Sequence, residues 1–507
     1  MSEPSVPTDK KPAPKSTPPR PRVLTPTDPR TGEVTGNYAL MGTTEISRTV
    51  REARSAQKWW SELSFDKRKR WLLDWKKALA RRSNELIELL MQETGKPHND
   101  AAIEVMMAIE HLDWAARHAG AVLDDKAPAR WSNPTVRSSV GYEPYGVIGV
   151  IGPWTYPLMT MMAAATSALA AGNAVVCKPH ELTPGVGAWI ADSWARLAPN
   201  QPVVQMVTGD HTTGAALCRA KIDKVAFIGN SLAARKVLEV CASTLTPAFV
   251  MADGKDAMIV HVDARLEDAA AAAVSGSMGN AGQAHTAVER VYVAESVYEP
   301  FLELVVAGAR KLRPGGNRGA SYGPMTREAQ VDVIREHIED ALARGGTAVL
   351  GGLESIRQPY VEPVILTKVP EESLAVTEPT NGPVLVVNPV ADLDEAIART
   401  NASPYALSAS IFTRDLPTAQ WAARKLNVGF VTINSVQAFF GQPSLPLGGV
   451  GLAGHGRIYG EPGLCEFART KTVVRHVYRA RFDAVALDRQ PRRLRWQSWR
   501  SRRKHSR

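Results

Sequence analysis

From residue 146 onward, short apolar runs alternate with stretches of helical spacing, and that alternation leaves few folds open. Val147–Ile151, Ala174–Cys177, Val203–Val207, Val225–Ile228 and Ala257–Val260 are strand-length runs with helical stretches between them. The same style continues with runs near 290–293, 347–350, 384–388 and 408–412. Strands joined by helices argue for parallel sheets with crossover connections, so the chain is expected to be α/β. At 507 residues it is too long for one ordinary core, and two or three domains are expected.

The segment 44–118 reads as helical instead. Ile46, Val50, Ala53 and Trp60 recur at helical spacing. Asp66 is placed to cap a second helix carrying Trp71, Leu72, Trp75 and Leu79. Ser83 is placed to cap a third, with Leu86, Ile87, Leu90 and Met91, closed by Gly95 and Pro97. The tryptophan spacing reads as core packing rather than a cofactor box. Residues 127–145 carry Pro and Ser breaks and read as an extended arm or hairpin. The apolar stretch 157–177 is nearly long enough to span a membrane, but it is rich in Ala, Thr and Ser and broken at Gly172-Asn173. A buried helix, a turn and a strand from Ala174 fit it better.

The formal charge of +10 belongs to the ends. Residues 1–22 hold five Lys/Arg against two acids, and residues 481–507 hold ten against two. The body is close to neutral, so the basic balance does not argue for a nucleic-acid-binding core. The seven prolines of 1–22 predict a disordered arm, and the start has no secretory pattern. The four cysteines, Cys177, Cys218, Cys241 and Cys465, are scattered with no CxxC, so no metal site or disulfide framework is expected. A reducing, cytoplasmic location follows, with peripheral membrane association open through the tail.

The motifs in between carry a family resemblance. Gly152-Pro153-Trp154-Thr155-Tyr156-Pro157 resembles the PWNFP turn of the aldehyde dehydrogenase superfamily. Ala171 to Pro179 resembles its AGN-VV-KP element, and Phe227-Ile228-Gly229-Asn230 stands where FTGS is usual. Ala252-Asp253-Gly254-Lys255 stands in place of LGGK, and Asn280-Ala281-Gly282-Gln283-Ala284-His285 resembles NxGQxC. Glu378 to Pro383 resembles EEIFGP; Pro446 to Gly449 and Gly454 to Arg457 resemble PFGG and SGxGR. The motifs run in the family order from about residue 23 to 480.

The resemblance implies a Rossmann-type nucleotide domain over 23–126 and 146–252 and an α/β catalytic domain over 253–452. A small oligomerisation arm would use 127–145 and 470–480, in a homo-dimer or tetramer. It also implies NAD-linked oxidation of a small-molecule aldehyde to a carboxylic acid, through a cysteine thiolate, a glutamate base and an asparagine oxyanion donor. Each of these roles has changed here. The cysteine position is His285, the glutamate position is Met251 and the asparagine position is Thr155. On the cofactor side, Pro153 and Trp154 would line the pocket, Gly229 would allow approach near the pyrophosphate, and Lys178 with Glu181 would hold the adenine-side ribose. A carboxylate there disfavours a 2′-phosphate, so NAD is expected over NADP. Pro379 and Asn381 replace the nicotinamide-side glutamate and phenylalanine.

Two functional classes follow. One is an aldehyde dehydrogenase family protein with impaired catalysis. The other is a non-catalytic nucleotide-binding scaffold or hetero-oligomer subunit. The tail 481–507, where Trp496 and Trp499 lie among arginines, has the composition to meet an anionic membrane or nucleic acid, or to remain solvated.

Overall fold

The computed structural model describes residues 23–126, 136–317 and 319–476, with a few residues beyond 494. The arm expected over 1–22, the start of the 127–145 arm and most of the basic tail lie outside the described residues. Two sheets organise what is described. The first has six strands in the order Gly454–His455, Ala248–Met251, Lys224–Ile228, Val147–Ile151, Ala174–Lys178, Val204–Met206. All pairings are parallel except that of Gly454–His455. The central strands are buried along their whole length, which is why their sequences show no polar alternation.

The chain leaves Val147–Ile151 toward one side of this sheet, through Ala174–Lys178 to Val204–Met206. It then returns to the other side at Lys224–Ile228. That reversal opens a crevice at the carboxyl ends of the strands, where ligands of open α/β sheets bind. Gly152, Lys178 and Gly229 sit at its rim. The second sheet has seven strands, ordered Thr347–Leu350, Val364–Thr367, Val384–Val390, Val288–Ala294, Asp256–Val260, Ser408–Phe412, Phe430–Ile433. Only its first pairing is antiparallel. A separate antiparallel ribbon joins Val136–Pro144 to Ala468–His476, and Val473 and Val474 are exposed on it.

The amino-terminal helices cover the first sheet. Trp60, Trp75 and Trp194 are buried together, with Trp194 edge-on to both others. Each indole N–H is spent: Trp60 Nε1 donates to the Leu169 carbonyl and Trp75 Nε1 to Ser193 Oγ. The tryptophans are core, as their spacing indicates. The stretch at 157–177 is a buried helix, Pro157–Ala170, followed by a turn and the strand Ala174–Lys178. Among the described residues no helix is long and apolar enough to cross a membrane.

Local details differ from expectation. The second helix, Phe65–Arg81, is capped by Ser64, whose hydroxyl accepts from the Lys67 amide, and not by Asp66. The third starts at Ser83 itself, with Arg82 at the cap position. Gly95 closes it in the left-handed conformation, as expected. A fourth helix then runs His98–Leu123, longer than the periodicity showed.

A buried ion pair ties these helices to the loop that enters the crevice. Lys96 Nζ lies 2.6 Å from Glu104 Oε2, both side chains shielded from solvent. The other Glu104 oxygen accepts from the Leu158 and Met159 amides, at the start of the helix Pro157–Ala170. Lys96 also donates to the Thr155 carbonyl. Removing one partner of a buried, hydrogen-bonded pair leaves an uncompensated charge. Lys96→Met is therefore expected to lower the unfolding free energy by about 3–5 kcal/mol, measured as a lowered urea midpoint at unchanged slope.

Candidate active site

The loop before His285 holds an unusual backbone. Asn280 and Ala281 both adopt left-handed conformations, at φ 53° and 57°, and Gly282 follows at φ 69°. Such a conformation is costly for alanine and persists only where its surroundings enforce it. The enforcement is visible. Asn280 Nδ2 donates to the carbonyls of Thr155 and Gln283. Gln283 Nε2 donates to the carbonyls of Asn280 and Pro324, and Gln283 Oε1 accepts from the Thr326 amide. A Cβ on Gly282 would lie 2.2 Å from the Gly382 carbonyl oxygen, so only glycine lets the two loops meet.

His285 is delivered by this loop with 8% of its surface exposed. Its Nδ1 lies 3.2 Å from Asp253 Oδ1. Asp253 also accepts from Asn381 Nδ2 at 3.4 Å and from the Ser231 amide at 3.2 Å. The Gly254 amide donates to the His285 carbonyl, and a Cβ at Gly254 would come within 2.5 Å of that oxygen. His285 Nε2 is buried and has no partner among the described residues. Thr155 Oγ1 is in the same state.

Thr155 and His285 therefore share one site, as the motif order implies. Met251 does not join them. It ends the strand Ala248–Met251, packs into the core beneath the sheet, and offers its carbonyl to the Gly229 amide. The residue that sequence reasoning missed is Asp253. It lies inside the Ala252-Asp253-Gly254-Lys255 element quoted for the resemblance, where glycine is usual. The available signal was that an acid and a histidine had appeared together in two elements that meet.

A cavity of about 470 Å³ joins this site to the crevice of the first sheet. Pro153, Trp154, Lys178, Glu181 and Gly229 all line it, as does Arg327. Lys178 Nζ and Glu181 Oε2 are 3.5 Å apart. Burial pulls the Lys178 ammonium below its ordinary range, and Glu181 opposes the shift. A side chain at Gly229 would collide with the Phe227 ring, so this glycine serves the wall of the cavity itself. A second cavity of about 750 Å³ adjoins Asn280, whose amide donates to the Thr155 carbonyl. Tyr156 and Asn280 bound it, and Ile103, Val274, Met278, Leu304 and Phe440 make it apolar.

A sequence model of the aldehyde dehydrogenase family matches residues 17–473. The chain belongs to that family. It is 35% identical over 443 residues to a 4,4'-diapolycopene aldehyde oxidase of Methylomonas sp, covering 87% of this chain and 83% of that one. It is 30% identical over 453 residues to a glutarate-semialdehyde dehydrogenase of Pseudomonas putida, covering 88% and 92%. Its fold superposes on the crystal structure of an NAD-dependent aldehyde dehydrogenase from Sinorhizobium meliloti with a TM-score of 0.88, at 28% identity, covering 92% and 93%.

The family's cofactor is a nicotinamide dinucleotide, and this aldehyde dehydrogenase relative fits it unevenly. Lys178 and Glu181 offer a donor and an acceptor for ribose hydroxyls at one end of the cleft. Arg327 and the amino end of the helix Ser231–Thr244 supply positive potential suited to a diphosphate. Pro379, which has no side-chain acceptor, borders a neighbouring pocket of about 350 Å³ instead of this cleft, and the amide of Asn381, which lines both, is spent on Asp253. NAD and ADP-ribose are therefore expected to bind with affinities within about 1 kcal/mol of each other. Calorimetry finding NAD far tighter would contradict the uneven fit.

Proposed function

We propose that the protein keeps the family's framework for binding an aldehyde and NAD but does not use the thioester route. The observation that carries this is the Asp253–His285 contact at the position of the family nucleophile. No thiol stands in for it. Cys177 lies in a buried strand, where burial pushes its thiol up to about 12. Cys218 and Cys241 are buried in the core, and Cys465 is half-buried in the helix Gly460–Glu466. Neither cavity is lined by a cysteine among the described residues. Met251 has no proton-accepting group and faces the core.

The supported substrate class is an apolar aldehyde. Its chain would occupy the larger cavity, among Ile103, Val274, Met278, Leu304 and Phe440, with the carbonyl at Thr155 and His285. The relative named for 4,4'-diapolycopene aldehyde fits that assignment better than the semialdehyde enzymes do. NAD, when bound, would supply the two-electron acceptor. Glu181 supports NAD over NADP, because a second negative group beside it would be repelled.

The units 23–126 with 146–252, and 253–452, form the nucleotide and catalytic parts of this proposal. The ribbon of Val136–Pro144 and Ala468–His476, with Val473 and Val474 exposed, supports a role in homo-oligomer contacts. The alternative of a nucleotide-binding scaffold or hetero-oligomer subunit rests on the same loss of the thiol and base.

Wild-type protein with NAD and a panel of apolar aldehydes is expected to give NADH no faster than His285→Ala. His285→Cys is expected to gain a stoichiometric acyl adduct by mass spectrometry, without rapid turnover. Its rate should stay at least about 10²-fold below a family enzyme, since Thr155 is a shorter oxyanion donor than an amide. Robust NADH formation by wild type, lost in His285→Ala, would falsify the proposal.

A further inference from the structure

We propose that Asp253 and His285 form a general-base pair that catalyses reversible addition of water to the carbonyl of a bound apolar aldehyde. This rests on the preceding assignment of an aldehyde site that works without a thiol.

The hydrogen-bond roles at Asp253 decide the state of the imidazole. Its carboxylate receives the Ser231 amide, the Asn381 amide group and His285 Nδ1. A carboxylate only accepts, so Nδ1 carries the proton. In the neutral ring Nε2 then holds a lone pair. That atom is buried and unpartnered among the described residues. Thr155 Oγ1, also buried and unpartnered, lines the same cavity. The site thus has one unspent acceptor and one unspent hydroxyl on residues of one cavity, and Tyr156, next in the chain to Thr155, borders the apolar chamber. Hydration of a carbonyl asks for that complement: an acceptor for a proton of the attacking water and a donor to the carbonyl oxygen.

The step balances without any further reagent. Nε2 takes a proton from water as the water oxygen bonds to the carbonyl carbon. The C=O π pair moves onto the carbonyl oxygen, held by the Thr155 hydroxyl. Nε2–H returns the proton to that oxygen, giving the geminal diol. Asp253 keeps the ring in its tautomer and stabilises the transient imidazolium. Loss of the other hydroxyl by the reverse path regenerates the aldehyde with a new oxygen atom.

Oxygen exchange is therefore the readout. Full-length protein without nucleotide is incubated with cinnamaldehyde in ¹⁸O-water, and label entering the aldehyde is followed by mass spectrometry against buffer. Equilibrium dialysis measures binding of the same aldehyde. Wild type is expected to accelerate exchange, with His285→Ala and His285→Gln reducing the accelerated rate by about 10²-fold. Added imidazole should restore part of the rate to His285→Ala, which a purely structural histidine would not allow. Asp253→Asn should lose most of the rate while retaining aldehyde binding. Cinnamaldehyde that binds without exchanging, or exchange equal in wild type and both His285 variants, would overturn the general-base pair alone. Absence of aldehyde binding would overturn the aldehyde site beneath it, and NADH formation remains a separate measurement of the thiol-free reading.

Discussion

The site depends on one buried ion pair, Lys255 with Glu289. Neither side chain reaches solvent to any useful extent. Lys255 Nζ donates to Glu289 Oε2 and to Thr380 Oγ1. The Glu289 carboxylate also accepts from the Thr380 and Asn381 amides. One carboxylate thus joins the segment after Asp253, the strand Val288–Ala294 and the loop around Thr380. Burial pulls the Lys255 ammonium below its ordinary range, and Glu289 counters this, so each charge is tolerated because of the other. Were Glu289 neutral, two loop amides would lose their acceptor and the loop carrying Asn381 would lose its anchor.

That anchor gives meaning to the substitutions around it. Asn381, in a left-handed conformation at φ 46°, turns its amide to Asp253. Asp253 in turn orients His285. Three residues that depart from the family motifs therefore satisfy one another. A histidine introduced alone at the nucleophile position would bury an unpaired Nδ1 as well as Nε2, at about 1–3 kcal/mol for each unmet group. Of the ring nitrogens the network leaves only Nε2 unspent among the described residues, on a side chain that lines the cavity. Loss of the thiol and retention of an organised polar site are thus compatible in one structure.

The two cavities give the site its directionality. The crevice at the switch point of the first sheet brings Lys178, Glu181 and Gly229 toward one side of Thr155. The apolar chamber between the helices Leu266–Met278 and Tyr298–Ala309 meets Tyr156 and Asn280 beside it. Lys96 and Asn280 both hold the Thr155 carbonyl, one from the amino-terminal helices and one from the strained loop. The Thr155 backbone is therefore fixed by contacts from distant parts of the chain.

Much of this was legible in the sequence because it is set by short-range patterns. The strand runs, the buried helix at 157–170 and the tryptophan core follow from period and length, which the chain states locally. The motif order placed Thr155, Lys178, Gly229 and His285, since each motif is a backbone turn whose glycines and prolines limit its shape. Capping was less legible: Ser64 and Asp66 are both good caps, and a two-residue difference in the helix start, set by packing, chose between them. The tertiary structure alone decided two matters of chemistry. It turned Met251 into the core, and it brought Asp253 to His285 across a sequence separation of 32 residues. A hydrogen bond between two loops depends on how two sheets are docked, and no local pattern encodes that distance.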